Sequence, residues 1–363
     1  MNKRVFNFSA GPAVLPVKVL EEAQRDLLAL PGTGVSPLEI SHRSKWFGDV
    51  LNEAIANVRK LLNVPEGYSV LFLQGGSRLQ FSMAPINLLR GSGKTADYIV
   101  TGSWSQKAVP EAKREGTVNI AFDGKPENYC RLPGEGELQL TSNAAYLYYA
   151  SNETIQGVQF QGEPGDGSAP LVCDASSDIL SRPLDMQKYG ILYACAQKNM
   201  GPAGATLVII RDELMNAAPE NLHAMLDYRV HAKGNSLANT TPVFAVYICM
   251  LVTRWLLDDV GGLENMRARN EEKAAMLYDV LDAHPELYIG HAAKECRSRM
   301  NVTFRLPDDE TTQQFLAGAA ERDLSGLKGH RSVGGIRASI YNAMPTEGVV
   351  ALRDFMLEFA KRG

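Results

Sequence analysis

Six apolar runs, separated by stretches with helical spacing, leave this chain few architectures. Four of them are "YSVLFLQGG" (68–76), "DYIVTGSW" (97–104), "AAYLYYAS" (144–151) and "PLVCDASS" (170–177). The other two, 191–196 and 205–210, flank Lys198. Each is short, apolar and closed by turn residues, as buried strands are. Between them lie helical patterns such as 43–62, where Trp46, Phe47, Val50, Leu51, Ala54, Val58 and Leu61 recur on one face. Strand and helix in alternation predict an α/β domain built on a largely parallel sheet. The pattern changes near residue 260. Residues 243–282 are strongly helical, broken at Gly261-Gly262, and "SRMNVTFRL" (298–306) and "IRASIYNA" (336–343) read as strands beside further helices. A smaller α+β unit is expected there, because 363 residues exceed what one core usually serves.

Bulk properties exclude several roles. A net charge of −4 argues against a general nucleic-acid binder. No apolar span long enough for a bilayer and no secretory signal stand out, so no membrane partner is expected. Cysteines 130, 173, 195, 249 and 296 are far apart with no CxxC pair, as expected for a reduced, cytoplasmic protein. No metal site is expected.

Chemistry concentrates at the ends of the apolar runs. "RGSGKTADYIV" (90–100) imitates the end of a P-loop, but Leu88 stands where its first glycine belongs, and a strand rather than a helix follows. In "LFLQGGSRLQF" (71–81), Gly75-Gly76-Ser77-Arg78 joins a strand to a helical pattern. Such a turn serves equally as a tight connection or as an anion cradle made of backbone N–H groups, Ser77 and Arg78. Asp174 ends a buried strand, where it is either a helix cap, with Ser176 and Ser177 as competitors, or the partner of a cation. Lys198 lies between two buried runs. Either its head reaches water, or it is a dehydrated amine suited to carbonyl chemistry. The order of glycine-rich turn, strand-end aspartate and later lysine matches the needs of pyridoxal phosphate: a phosphate cradle, a carboxylate for the pyridine nitrogen and an amine for the aldehyde. Trp104 suits either a core position or stacking on a flat ring. His-Arg occurs twice, at 42–43 and 330–331, and Arg337 follows Gly334-Gly335, a set fitted to a substrate with two anionic ends.

With these residues in view, the chain resembles the phosphoserine aminotransferases, fold-type I pyridoxal phosphate enzymes. The stretches "FNFSAGPAVLP", "SHRS", "GGSR", "SNETIQG", "CDASSDILSRP", "AQKNMGPAG", "NTTPVFA" and "GHRSVGGIRASIYNA" carry the likeness from end to end. The resemblance implies a large pyridoxal phosphate-binding α/β domain over 17–260 and a small α+β domain over 261–363 with segment 1–16. It implies reversible transamination of 3-phosphohydroxypyruvate with L-glutamate in serine biosynthesis. Some members also use a phosphorylated hydroxythreonine in pyridoxine biosynthesis. By position, it makes Lys198 the Schiff-base lysine and Asp174 the pyridinium partner. Ser77, Arg78 and Gln197 fall to the cofactor phosphate, Trp104 to stacking, and Thr154 to the cofactor hydroxyl. Asn239 and Thr240 reach the phosphate of a neighbouring subunit, which implies a homodimer with shared sites. His42, Arg43, His330, Arg331 and Arg337 form the substrate-binding set. Some members carry a third glycine where this chain has Ser77, a change that keeps the backbone N–H. A cysteine desulfurase of the same fold would need a mobile nucleophilic cysteine, and none of the five lies in a glycine-rich loop.

Overall fold

The computed structural model describes residues 4–331 and 333–361; residues 1–3, 332 and 362–363, which fall in the expected small unit, lie outside the described residues. Strand β1 (Phe6–Asn7) and helices α1 (Val17–Asp26) and α2 (Lys45–Leu62) open the chain. Helix α2 begins where the Ser44 hydroxyl accepts the Phe47 N–H at 3.1 Å and ends at Asn63, in the left-handed conformation asparagine tolerates. Its buried residues Phe47, Val50, Leu51, Ala54, Val58, Leu61 and Leu62 repeat at helical spacing.

The middle of the chain supplies β2 (Tyr68–Gln74), α3 (Ser77–Leu88), β3 (Thr95–Val100), α4 (Ser103–Lys113), β4 (Thr117–Asp123) and β5 (Leu147–Ala150). A short hairpin, β6 (Asn152–Glu153) and β7 (Val158–Gln159), precedes β8 (Leu171–Asp174), β9 (Tyr189–Cys195), α5 (Ala196–Asn199) and β10 (Ala205–Arg211). Seven of these strands form one sheet in the order β2-β10-β9-β8-β5-β3-β4. From β9 to β4 the pairing is parallel, while β10 runs against both β9 and β2. The expected α/β class with a mostly parallel sheet is the architecture present. Alternation along β9 covers both faces: Leu192 and Ala194 enter one core with α2, whereas Ile191 and Tyr193 enter the other with Phe81 and Tyr98.

Short helices α6 (Asp212–Asn216) and α7 (Tyr228–Lys233) lead to α8 (Val243–Asp258), which packs on α2, and then to α9 (Leu263–Ala283). Beyond them lie β11 (Ile289–Gly290), β12 (Asn301–Arg305), α10 (Asp309–Ala320), β13 (Leu324–Ser325), β14 (Ile336–Ser339) and α11 (Thr346–Ala360). Strands β11, β12 and β14 make an antiparallel sheet, and β1 pairs in parallel with β13. A third core gathers Phe8, Leu277, Phe304, Phe315, Phe355 and their neighbours.

One direction of travel positions the site. Strands β2, β3, β5, β8 and β9 all point the same way, so Gln74, Val100, Ala150, Asp174 and Cys195 end on one edge of the sheet. Ligands of open α/β sheets bind outside such carboxyl ends. A buried lysine braces this edge from the far side. Lys273 donates to the carbonyls of Ile340, Tyr341 and Met344 at 2.9, 2.8 and 3.1 Å. In the same turn the Asn342 N–H donates to Asn199 Oδ1 at 2.9 Å, one residue beyond Lys198. Lys273→Met should leave several buried carbonyls without donors and lower stability by roughly 3 kcal/mol or more, read by urea unfolding. An unchanged unfolding midpoint would show that the turn holds without the ammonium.

Candidate functional site

A cavity of about 460 Å³ opens at that edge. Its lining includes Ser77, Arg78, Trp104, Thr154, Asp174, Gln197, Lys198, His330 and Arg337, drawn from seven separate elements and loops. The turn before α3 explains the first two. Gly75 has φ +95, a conformation open to glycine, and it lets β2 turn at once into the helix. Ser77 and Arg78 open α3, where N–H groups lack intrahelical acceptors, so the cradle presents donors where an anion would sit. Arg78 is exposed and makes no ion pair among the described residues.

Lys198 rides on the short turn α5 that leaves β9. It is half-buried, not sealed in the sheet as the flanking apolar runs suggest, because its side chain leaves the strand end and enters the cavity. Its Nζ donates to Thr154 Oγ1 at 2.7 Å and lies 5.4 Å from the centre of the Trp104 ring. Asp174 is buried at the end of β8, and burial pushes its carboxyl above the usual range, while the Lys198 charge and bonds from Ser176 pull the other way. Two donors meet Asp174 Oδ1: the Ser176 N–H at 3.0 Å and the Ser176 hydroxyl at 2.5 Å.

Trp104 is held from behind. Gly102 precedes α4 and has no side chain to cap it, so the helix start is capped by a residue from another strand. Glu153 Oε2 accepts the Trp104 N–H at 2.9 Å, and Oε1 accepts the Ser105 N–H at 2.8 Å and the Ser105 hydroxyl at 2.6 Å. Burial raises the Glu153 carboxyl, and these three donors oppose the rise. Glu153 and Ser176 were both missed as site residues by sequence reasoning. Ser176 registers there only as a competing cap, and Glu153 is visible only as the neighbour of Thr154.

His330 and Arg337 approach from the C-terminal part of the chain. Arg337 lies on β14, and its buried Nε has no hydrogen-bond partner among the described residues. Burial lowers His330, reinforced by the charges of Arg337, Lys107 and Arg331. The remaining expected residues do not line this cavity. His42 is buried just before α2, its Nε2 without a hydrogen-bond partner among the described residues, and Arg43 and Arg331 are exposed. Asn239 donates to its own chain's Gln74, and Thr240 is exposed. Within one chain, the fold gathers nine of the expected residues and leaves His42, Arg43, Asn239, Thr240 and Arg331 elsewhere.

The model of the aminotransferase class-V family matches residues 5–352. Phosphoserine aminotransferase of Rhodopirellula baltica is 57% identical over 361 residues, covering 99% of this chain and 96% of the relative. The solved phosphoserine aminotransferase of Bacillus circulans subsp. alkalophilus superposes with a TM-score of 0.96 at 47% identity, covering 100% of both chains. A pyridoxal phosphate-bound phosphoserine aminotransferase of Trichomonas vaginalis gives 0.92 at 41% identity, covering 98% of this chain and 100% of that one. The chain belongs to the class-V aminotransferases and, within them, to the phosphoserine aminotransferase family. Its fold is accordingly the fold-type I architecture.

The Trp104 support is testable without substrate. A Cβ on Gly102 would lie 2.4 Å from Glu153 Cδ and 2.6 Å from Oε2. Gly102→Ala should therefore displace the cap and lower stability by about 1–3 kcal/mol in urea unfolding. Parent-like stability would contradict the clash.

Proposed function

We propose that this protein is a pyridoxal phosphate-dependent phosphoserine aminotransferase. It moves an amino group reversibly between L-glutamate and 3-phosphohydroxypyruvate, forming O-phospho-L-serine and 2-oxoglutarate in serine biosynthesis. The observation that carries the reading is the convergence of Lys198, Thr154, Asp174, Trp104 and the Gly75–Arg78 turn on one cavity. The residues fit the cofactor. The cavity has the size of a small-molecule site, the helix-start N–H groups await an anion, and Trp104 Nε1 and Arg337 Nε are buried without partners among the described residues. Bound pyridoxal phosphate supplies an electron sink for charge developing at the substrate α-carbon.

Each residue then has a task. Lys198 supplies the amine that anchors the cofactor and afterwards carries the proton at the substrate Cα. Thr154 orients that amine through its hydroxyl. Asp174 would hold a proton on the cofactor's ring nitrogen, its burial strengthening the pairing by excluding water. Trp104 would stack on the ring, and Ser77, Arg78 and Gln197 would hold the cofactor phosphate. Arg337 and His330 receive the anionic ends of the substrate, with Arg337 suited to a carboxylate fork. The division into 17–260 and 261–363 with 1–16 accompanies this reading, since Arg337 and His330 come from the second unit and Lys198 from the first. Five unpaired cysteines agree with a cytoplasmic setting. Among the described residues, no helix is long and apolar enough to cross a membrane.

A coupled assay with O-phosphoserine and serine as amino donors tests the substrate. Several charge-assisted bonds, each contributing roughly 1.5–3 kcal/mol, should favour the phosphorylated donor at least about a hundredfold in kcat/KM. Lys198→Ala should abolish turnover with the fold intact. Equal kinetics for the two donors would point to a different aminotransferase.

The residues left outside the cavity belong to the same reading if two chains complete each site. Asn239, Thr240, His42, Arg43 and Arg331 would then serve a neighbouring subunit's cavity across a twofold interface, where contacts are reciprocal. Mixing Lys198→Ala chains with chains altered at both 239 and 240, under conditions of subunit exchange, should restore partial activity. One site of each mixed dimer would be free of both changes. No recovery despite verified exchange would defeat shared sites.

A further inference from the structure

The Ser77 hydroxyl sits beside the cradle, yet its hydrogen bond leads away from it. Ser77 Oγ lies 2.6 Å from Ser176 Oγ, and both residues are buried. Ser176 Oγ in turn lies 2.5 Å from Asp174 Oδ1 and 3.3 Å from the Cys195 N–H. The proton count orients this chain of groups. A hydroxyl has one proton, and an ionised carboxylate only accepts. Ser176 must therefore give its proton to Asp174 and receive those of Ser77 and the Cys195 N–H. The Ser77 proton is thereby committed to Ser176, leaving the residue's backbone N–H as its donor to the cradle.

From this geometry we propose that Ser77 is a positioning residue that acts through Ser176 on Asp174, a relay joining the phosphate cradle to the carboxylate that faces the cofactor ring. A hydroxyl that accepts a bond becomes a better donor, so Ser77 strengthens the Ser176 bond to Asp174. The relay holds Asp174 in one orientation and favours its ionised form against burial. Other charged groups acting on Asp174 are Lys198, which also favours ionisation, and Glu153 and Asp178, which oppose it, with the phenols of Tyr148 and Tyr193 nearby. The proposal rests on the aminotransferase reading for its meaning, but the hydrogen-bond chain belongs to the protein alone.

The test therefore begins without cofactor. In protein labelled with ¹³C at aspartate Cγ, the Asp174 resonance is assigned by its loss in Asp174→Asn and titrated with pH. Ser77→Ala, which keeps the backbone N–H, should raise the Asp174 midpoint. Ser176→Ala should raise it further, and the double variant should match Ser176→Ala alone, because Ser77 has no other route to Asp174. An unchanged midpoint in Ser77→Ala, or additive effects in the double variant, overturns the relay. The second readout compares affinity for pyridoxal phosphate with that for 5′-deoxypyridoxal, which lacks the phosphate. Losing one relayed bond should weaken both by a similar factor, about two- to tenfold. Weakening confined to pyridoxal phosphate would make the Ser77 hydroxyl a phosphate ligand and overturn the proposal. A parent protein that bound neither aldehyde would refute the aminotransferase reading, and the cofactor-free titration would still decide the relay.

Discussion

A carboxylate buried at the end of a strand is the constraint around which this molecule is arranged. Asp174 has left water, and ionisation there is costly without compensation. The compensation comes from outside its own strand: the Lys198 charge from the next strand's end and the Ser176 N–H and hydroxyl from the following turn. The Lys198 charge depends on parallel neighbours ending together, whereas the Ser176 donors are local to the turn that follows β8. Were β8 to run the other way, Asp174 would meet the opposite edge, away from the Lys198 charge.

The same economy of polar groups recurs around the cavity. A glycine at the start of α4 gives the helix no cap of its own, so Glu153 crosses from the β6–β7 hairpin to provide it and in doing so fixes Trp104. On the far side, Lys273 gathers the carbonyls around Tyr341, and Asn342 ties that turn to Asn199 beside Lys198. The turn after β14 is thus tied to the Lys198 turn by a hydrogen bond. Arg337 enters from β14, and its buried Nε has no hydrogen-bond partner among the described residues.

Much of this was legible in the residues. The apolar runs at 68–76, 170–177 and around Lys198 became β2, β8, β9 and β10, and the helical face of 43–62 became α2. Asp174, Lys198 and the Gly75–Arg78 turn were visible because each is an oddity of type: a charge, or glycines, at the edge of an apolar run. Strand β4 was not, since its alternation is partly polar and it lies at the sheet edge. The antiparallel insertion of β10 was equally hidden, because side chains alternate in the same way whichever direction a strand runs. Ser176 and Glu153 look ordinary in the sequence. Their importance is that of acceptors and donors facing groups about 50 to 100 residues away.

By itself, the sequence determined which segments would bury themselves, that they would form an α/β sheet, and which few residues carried chemistry too costly to place in a core without use. Those are local properties, written in periodicity and residue type. Tertiary structure alone decided which strand ends share an edge, that the Ser77 hydroxyl bonds to Ser176 rather than facing the cradle, and that five of the expected site residues stand outside their own chain's cavity. Hydrogen bonds and charge pairs act over a few ångströms, whereas their partners here lie far apart in the chain, so only the folded path brings them within range.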